Sequence, residues 1–354
     1  MRVVRRAERR LRRVRAVVAR RTYAVGRGIH FDPVLEREQI ILPTQMSFSD
    51  NRDATVDVLI LLRETALKRR RSVMLHFADV ERIDADVALV LVSEIYRIRN
   101  LRSPRSVTGT YPRQRTVYEQ LRAMGFYRLL SVAEHPDLSP ERSGPTSRVY
   151  LPFLTGNRVE AELVDLFVTG VEENLFAMNE VARGRLVAAI IEAMNNTLDH
   201  AHPVVIAGET MTHRWWLSSW VDIATRAITV MLFDQGVGIP ATLDPSLYER
   251  IRAALQDVIG LRSISLRPSD GEMILAATEL HRTGTGQSGR GKGFLNMKRF
   301  VDACDSGELK VLSNRGRYSY LDGTESHDEA SCSIGGTVIE WRFRHEGKME
   351  MADE

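Results

Sequence analysis

The sequence predicts a two-domain protein of mixed class, with an α/β domain followed by an α+β domain. At 354 residues the chain is long enough for two domains of ~150 residues each. Residues 53–134 alternate between strand and helix patterns, which favours a βα fold. Residues 149–346 combine longer helices with strands, which predicts a second domain of the α+β class. The Pro, Ser and Gly residues within 135–148 predict a linker between the two domains.

The composition is that of an ordinary globular protein, with 44% hydrophobic and 27% charged residues. No run of ~20 apolar residues is present, so we expect no membrane-spanning helix. The two cysteines, Cys304 and Cys332, leave little scope for a disulfide framework or a zinc site. The N-terminus lacks the apolar core of a secretory signal, and we therefore expect a cytoplasmic protein.

Residues 1–27 are expected to form a basic tail. They contain eleven arginines and one acidic residue, Glu8, for a net charge of +10, whereas the rest of the chain has 38 basic and 45 acidic residues. Apolar residues interleave with the arginines, as in a basic helix that contacts nucleic acid, an anionic membrane or an acidic partner. A solvated arm, or a start codon placed too early, explains the same composition. The arginines of 5–13 have no aromatic residue among them, which weakens a single-stranded nucleic-acid interpretation.

The first domain is expected to begin after residues 28–52, which carry Pro33 and Pro43 and fit an irregular lead-in or an edge strand. The patterns that follow predict, in order, a helix at 56–69, a strand at 72–77, a turn at 83–86, a helix at 88–99, a strand at 106–110 and a helix at 115–124 closed by Gly125.

This order, with the turn DVERID at 79–84 and the closing segment MGFYRLL at 124–130, resembles a STAS domain, the fold of anti-anti-sigma factors. The resemblance covers roughly residues 53–132. In that family a Ser or Thr directly after the turn aspartate accepts phosphate, but here the position is Ala85. Alanine has no hydroxyl, so phosphorylation at this position is chemically excluded. The domain is then a structural adaptor, or Asp86 locks it in one state through a permanent negative charge.

The patterns of the second domain predict helices at 159–173, 183–201, 247–260, 269–283 and 294–302, and strands at 213–222, 227–233, 309–313 and 337–344. Trp215, Trp216 and Trp220 lie in the first of these strands, and we expect them to pack the sheet.

A polar stripe lies on the helix predicted at residues 183–201. Positions four residues apart advance by about 40° around a helix axis, so Glu192, Asn196 and His200 face one side. The residues expected to face the core are Leu186, Ile190 and Met194. A carboxylate, an amide and an imidazole then point to one region. This set suits ATP chemistry, which needs a hard oxygen ligand for Mg²⁺ and a carboxylate that activates a hydroxyl or a water.

Two glycine segments and a closing strand follow the stripe. The first segment, DQGVGIP, begins with Asp234 at the end of an apolar strand, and Gly236 and Gly238 permit tight turns in it. The second segment, GRGKG, precedes a helix, so its N–H groups can face phosphates at a helix N-terminus. Its members are Gly289, Arg290, Gly291, Lys292 and Gly293. The closing strand begins with the motif GGT at 335–337.

These four features, in this order, resemble the GHKL superfamily, the ATPase domains shared by gyrase, heat-shock chaperones, sensor histidine kinases and mismatch-repair proteins. The resemblance implies that residues 149–346 form an α/β sandwich, a mixed sheet layered with helices. Each feature alone is weak, but the four in order over residues 183–343 are specific. The resemblance implies that Asp234 accepts a hydrogen bond from the adenine amino group and that Thr337 adds a second, often water-assisted contact. It also implies that Asn196 binds Mg²⁺ between the phosphates and that Glu192 is the base.

The spacing Glu-x-x-x-Asn-x-x-x-His, ending at His200, resembles anti-sigma serine/threonine kinases; a helix-capping or packing histidine is the alternative. A sensor histidine kinase is disfavoured, because no helical hairpin with a phosphoacceptor histidine precedes this domain. Residues 240–289 are long for the lid of a compact anti-sigma kinase, so the substrate geometry stays open.

The sequence therefore predicts an ATP-binding, Mg²⁺-dependent signalling protein, an ATPase or a serine/threonine kinase of the anti-sigma type, which acts on a protein partner. The glycine loop and Lys292 would orient the γ-phosphate. A nucleotide-gated interaction switch with little or no catalysis fits the same residues. A nucleic-acid-linked ATPase rests on the basic tail alone. The substrate, the upstream signal and the oligomeric state, a homodimer included, stay open.

Overall fold

The computed structural model of the protein describes residues 29–32, 37–135, 148–173, 178–199, 201, 214–243, 268–279 and 292–344. The chain divides into two compact units, one built from residues 1–122 and 127–139 and the other from residues 123–126 and 140–354. Both units combine helices with sheets, which confirms the mixed α/β class. No described helix is long and apolar enough to cross a membrane.

The first unit is built on a small, mostly parallel sheet. Its strands are β1 (Ile29–Asp32), β2 (Arg37–Ile41), β3 (Gln45–Met46), β4 (Ser72–His76), β5 (Arg82–Ile83) and β6 (Val107–Gly109). Its helices are α1 (Arg52–Arg63), α2 (Ala85–Leu101), α3 (Arg115–Ala123) and α4 (Phe126–Leu129). The four-stranded sheet has the order β1-β2-β4-β6, in which β2, β4 and β6 are parallel and β1 is antiparallel to β2. Strands β3 and β5 form a separate parallel pair.

Alternating apolar residues explain why these segments form a sheet covered by helices. In β4, Val73 and Leu75 are buried between half-exposed neighbours, which is the period of a strand with one covered face. Most of α2 is buried, as its nearly continuous apolar run predicts.

The expected helices and strands of the first unit are confirmed, with shifted ends. The helix expected at 56–69 begins at Arg52 and continues beyond α1 as a π-helical turn, Glu64–Lys68. The lead-in expected at 28–52 was wrong in part: β1 is an edge strand, but β2 lies inside the sheet, where Ile40 is fully buried. The turn expected at 83–86 was also wrong, because β5 is followed directly by α2.

The second unit is a large sheet with helices on one face. Its strands are β7 (Arg148–Gly156), β8 (Trp215–Asp222), β9 (Ala227–Asp234), β10 (Ser306–Ser313), β11 (Gly316–Leu321), β12 (Thr324–Glu329) and β13 (Thr337–Arg344). Its helices are α5 (Ala161–Glu173), α6 (Glu180–Asp199), α7 (Ile239–Thr242), α8 (Asp270–Glu279) and α9 (Lys292–Val301).

The strands of this unit run in the order β12-β11-β10-β13-β9-β8-β7, and every neighbouring pair is antiparallel. The mixed sheet expected from the sequence was therefore wrong for the described strands. Strands β9 and β10 do run in the same direction, but β13 returns between them and pairs with both. Strand patterns alone do not reveal such an insertion.

The core lies between this sheet and helices α5, α6, α8 and α9. Alternate residues of β9 enter it, Ile228, Val230 and Leu232, and Ile339 and Trp341 of β13 do the same. The three α6 residues expected in the core are fully buried: Leu186, Ile190 and Met194. Continuing the same alternation places the last residue of β9 and the first of β13 where the apolar core ends.

The expected helices at 159–173, 183–201 and 294–302 and the expected strands at 213–222, 227–233, 309–313 and 337–344 are confirmed, with ends shifted by up to a few residues. The helix expected at 269–283 is described as α8, which is followed as far as Glu279. The helix expected at 247–260, residues 136–147 of the linker and the two tails lie outside the described residues.

Trp215 and Trp216 are fully buried in the sheet, as expected, and Trp220 is half-buried. Strands β7, β11 and β12 were not predicted. β12 is polar and largely exposed, so it carries no apolar alternation that could reveal it.

Candidate functional site

A row of polar residues follows the apolar core at one end of the second unit's sheet. Asp234, the last residue of β9, lies opposite Thr337 of β13, and Thr337 lies opposite Ser313 of β10. Residues directly opposite on neighbouring strands point to the same face of a sheet. Trp215 of β8 lies on the other side of Asp234. Three oxygen-bearing side chains therefore adjoin each other on the face that the helices cover.

Asp234 is a buried carboxylate, with 7% of its surface exposed. Its Oδ1 accepts a hydrogen bond from the Gly236 N–H at 2.8 Å. Among the described side chains, no cation forms an ion pair with it. Burial raises the pKa of Asp234 to about 7, and the Gly236 hydrogen bond opposes this shift in part. A carboxylate that is costly to bury and has no cation beside it indicates a ligand-binding role.

The segment after Asp234 turns back sharply. Gly236 lies against Ala201, so closely that a Cβ at 236 would overlap it. The Val237 N–H donates to the carbonyl oxygen of Ala201 at 2.8 Å, which ties this turn to the residues just beyond α6. Gly238 has a φ of 84°, a left-handed conformation that glycine adopts without steric cost.

The end of β10 holds the same turn from the other side. Asn314 Nδ2 donates to the Val237 carbonyl oxygen at 2.7 Å, and Ser313 Oγ accepts from the Ile239 N–H at 2.8 Å. These two bonds flank Gly238. They fix the backbone of the first glycine segment where it passes the row of polar residues.

Thr337 begins the closing strand beside the same residues. Its Oγ1 lies 2.9 Å from Ser313 Oγ. The preceding Gly336 has a φ of 132° and lies against the carbonyl oxygen of Asp234, so a side chain at 336 would collide with it. The Gly336 carbonyl accepts the Asn314 N–H at 3.1 Å. The closing strand, the glycine segment and the end of β10 are thus one hydrogen-bonded unit.

Helix α6 carries Glu192 and Asn196 one turn apart, and both side chains are half-buried. The first turn of α9 lies against Glu192, because a Cβ at position 293 would stand 2.6 Å from Glu192 Oε1 and 2.7 Å from its Cγ. Within the described part of the chain, neither the Glu192 nor the Asn196 side chain has a hydrogen-bond partner. Gly293 therefore gives the Glu192 carboxylate its space.

A buried ion cluster joins α9 to the end of α8. Lys298, in the last turn of α9, is 6% exposed, and its Nζ lies 3.0 Å from Glu279 Oε1, at the end of α8. Glu325 of β12 also pairs with Lys298. The cluster therefore ties the last turn of α9 to α8 and β12.

The structure thus brings the predicted site residues into two groups. The first, around the end of β9, contains Asp234, Gly236, Gly238 and Thr337. The second contains Glu192, Asn196 and Gly293. His200, Gly289, Arg290 and Gly291 lie outside the described residues, and for Lys292 the backbone alone is described.

The residues that sequence reasoning missed are Ser313 and Asn314. A serine and an asparagine after an apolar strand are common, and nothing in the sequence sets them apart from a turn. Their role follows from β10 pairing with β13, which brings them beside a segment about 75 residues earlier in the chain.

No three His, Cys, Asp or Glu side chains of the described residues are grouped so that they could hold a metal ion alone. Asn196 offers one amide oxygen on the polar face of α6. Mg²⁺ commonly takes few protein ligands and completes its shell with phosphate oxygens and water, and Asn196 fits that manner of binding.

No protein-family model matches this chain, and no curated protein is significantly similar to it.

We predict that Asp234→Asn makes stability less dependent on pH. The folded protein keeps a proton on Asp234 up to about pH 7, whereas an unfolded chain releases it near the ordinary aspartate pKa of 3.8. The stability gained from this proton is present at low pH and is lost as pH rises to about 7. Between about pH 5.5 and pH 8, the free energy of unfolding of the wild type should fall by about 2 kcal/mol relative to the variant.

Chemical denaturation at both pH values measures this change. Asp322→Asn, at an exposed aspartate of the same unit, is the control and should show no such trend. An identical pH dependence of the wild type and Asp234→Asn would contradict the assignment of a protonated, buried Asp234.

Proposed function

We propose that residues 149–346 form a GHKL-type domain that binds ATP with Mg²⁺, and that residues 53–134 are a STAS-like regulatory domain in the same chain. The protein would act in the cytoplasm as an ATPase or a serine/threonine kinase of the anti-sigma type, on a protein partner. The observation that carries this proposal is Asp234, a buried carboxylate at the end of β9 that pairs with no cation among the described side chains.

Asp234 suits adenine because an ionised carboxylate only accepts hydrogen bonds and the adenine amino group only donates them. One oxygen, Oδ1, is already bonded to the Gly236 N–H, which leaves acceptor capacity on the carboxylate for a ligand. Thr337 adjoins Asp234 on the next strand and can make a second contact to the base. Gly238 has no side chain, so the backbone of this turn can lie close to a bound base.

Asn196 and Glu192 would serve the phosphate end. Asn196 supplies the amide oxygen for the metal ion, which screens the phosphate charges when it is bound. Glu192, one turn earlier, would orient and deprotonate the attacking hydroxyl or water. The second glycine segment and Lys292 would hold the γ-phosphate, with Gly293 at the N-terminus of α9.

The Ala85 position of the first unit supports an adaptor role for the STAS-like domain. Ala85 is the first residue of α2 and is half-buried, and Asp84 before it pairs with Arg82. Asp86 Oδ1 accepts a hydrogen bond from the Val87 N–H at 2.7 Å, so its negative charge stabilises the N-terminus of α2. This position offers no oxygen that could accept phosphate.

Incubation of the purified protein with γ-labelled ATP and Mg²⁺ tests the proposal. Release of labelled phosphate identifies an ATPase, and label on this protein or on an added partner identifies a kinase. On the adaptor interpretation, no label should map to residues 78–92. ATP binding with neither product would instead identify a nucleotide-gated switch, and absence of ATP binding would overturn the proposal.

We predict that Glu192→Ala binds ATP like the wild type but loses turnover or phosphotransfer by ~10² to 10⁴-fold, because a general base contacts the nucleophile and not the nucleotide. Asn196→Ala should instead weaken ATP binding in the presence of Mg²⁺ and leave the weaker, Mg²⁺-free binding unchanged. Calorimetry and initial rates separate the two effects. If Glu192→Ala turns over at the wild-type rate, the base lies elsewhere or the switch interpretation gains support.

We also predict that Gly293→Ala lowers turnover while Gly184→Ala does not. A methyl group at 293 would displace the Glu192 side chain, whereas a Cβ at 184, on the exposed face of α6, meets no atom within 4 Å. Gly184→Ala should raise the free energy of unfolding by roughly 0.5–1 kcal/mol through helix propensity. Rates measured under saturating ATP test the pair. Equal rates for the two variants would show that Glu192 does not need the space beside Gly293.

A further inference from the structure

Ser313, the last residue of β10, has a fully buried side chain with two hydrogen-bonding neighbours in the described residues. Its Oγ accepts the Ile239 N–H at 2.8 Å and lies 2.9 Å from Thr337 Oγ1. Ser313 has no exposed surface, whereas Thr337 is 4% exposed. Thr337 also lies between Ser313 and Asp234 in the strand register, so its hydroxyl is the one of the pair that adjoins the carboxylate.

The direction of the proton between the two hydroxyls follows from this arrangement. Since Ser313 Oγ already accepts from Ile239, its own proton needs an acceptor, and Thr337 Oγ1 is the one within reach among the described residues. If Thr337 donated to Ser313 instead, the Ser313 proton would be buried without a partner, which is costly. Ser313 therefore donates to Thr337. The Thr337 hydroxyl keeps its own proton for a group outside this pair.

Thr337 then presents a donor next to the acceptor of Asp234. The Watson–Crick edge of adenine has the opposite pattern at neighbouring atoms, with an amino donor at position 6 and an acceptor at N1. Guanine and hypoxanthine carry an acceptor at position 6 and a donor at N1. An acceptor from ionised Asp234, the form present above about pH 7, and a donor from Thr337 match adenine and mismatch the other two purines.

We propose that Ser313 is a positioning residue that tunes the purine preference of this site, because its donated proton occupies one of the two acceptor positions of the Thr337 hydroxyl and so favours Thr337 as the donor to the ligand. This inference rests on the proposed ATP-binding function. Without Ser313, the Thr337 hydroxyl can rotate to donate to adenine N1 or to accept from an N1–H, so its contribution to discrimination is lost.

Asn314 provides a matched control on the same loop. It donates to the Val237 carbonyl at 2.7 Å and so holds the glycine segment, as Ser313 does through Ile239. Its side chain makes no hydrogen bond to the Thr337 hydroxyl in the described structure. Its φ is 53°, a conformation that glycine accepts readily, so Asn314→Gly removes its side-chain bonds, to Val237 and to Ser333, without straining the backbone.

The test is the ratio of the dissociation constants of inosine diphosphate and adenosine diphosphate, measured by calorimetry with Mg²⁺ on the full chain. Inosine diphosphate carries the N1–H and the 6-oxo group of guanine without its 2-amino group, so steric exclusion does not contribute. The wild type should prefer adenosine diphosphate. Ser313→Ala and Thr337→Val should each lower the ratio about tenfold, the order of one hydrogen bond.

The double variant should lower the ratio no further than either single change, because both changes remove the same oriented hydrogen bond from Thr337 to the base. Asn314→Gly should weaken the binding of both nucleotides and leave the ratio unchanged. Ser313→Cys, close to serine in volume but a weaker donor, should lower the ratio in part. This variant replaces Ser313→Ala in the test if Ser313→Ala does not fold.

An unchanged ratio in Ser313→Ala and Ser313→Cys, a ratio that falls equally in Asn314→Gly, or additive effects in the double variant would overturn this inference alone. Absence of adenosine diphosphate binding by the wild type would overturn the proposed function and this inference with it.

Discussion

A buried carboxylate that no described cation neutralises is the constraint on which the second unit depends. Asp234 is the last residue of β9, and burial raises its pKa to about 7. The folded protein tolerates such a group when hydrogen-bond donors reach it. One donor is the Gly236 N–H, and this bond requires the chain to turn back directly after the strand. A carboxylate that lowers stability at neutral pH is better explained by a ligand that donates to it than by packing.

The parts around Asp234 are arranged by strand register and by a few specific bonds. β13 returns between β9 and β10, and this insertion aligns Thr337 with Asp234 on one side and with Ser313 on the other. Residues at the end of β10 then hold the turn around Gly238, while Ala201 holds it from the side of α6. The same helix carries Glu192 against the start of α9. The base-reading end and the catalytic end of the proposed site are thus both joined to α6.

The sequence predicted the elements whose signal is local and missed those that depend on pairing. Helix α6 was found because its buried residues recur at helical spacing, and β9 because it is a continuous apolar run. The antiparallel order was missed because the insertion of β13 leaves no local pattern. Ser313 was missed for the same reason, since its partners Thr337 and Ile239 are distant in sequence. Whether Asp234 and Thr337 read adenine stays a prediction.

Proton release on nucleotide binding tests most directly the central claim that Asp234 reads the adenine base. Calorimetry of adenosine diphosphate binding near pH 7, in buffers of different ionisation enthalpy, gives the number of protons released. The pKa of Asp234 is about 7 in the free protein, and a donor from the base lowers it. We expect the wild type to release about half a proton per site more than Asp234→Asn, because both proteins share any release from the phosphates of the nucleotide. Equal proton release by both proteins, or no binding by the wild type, would contradict the account.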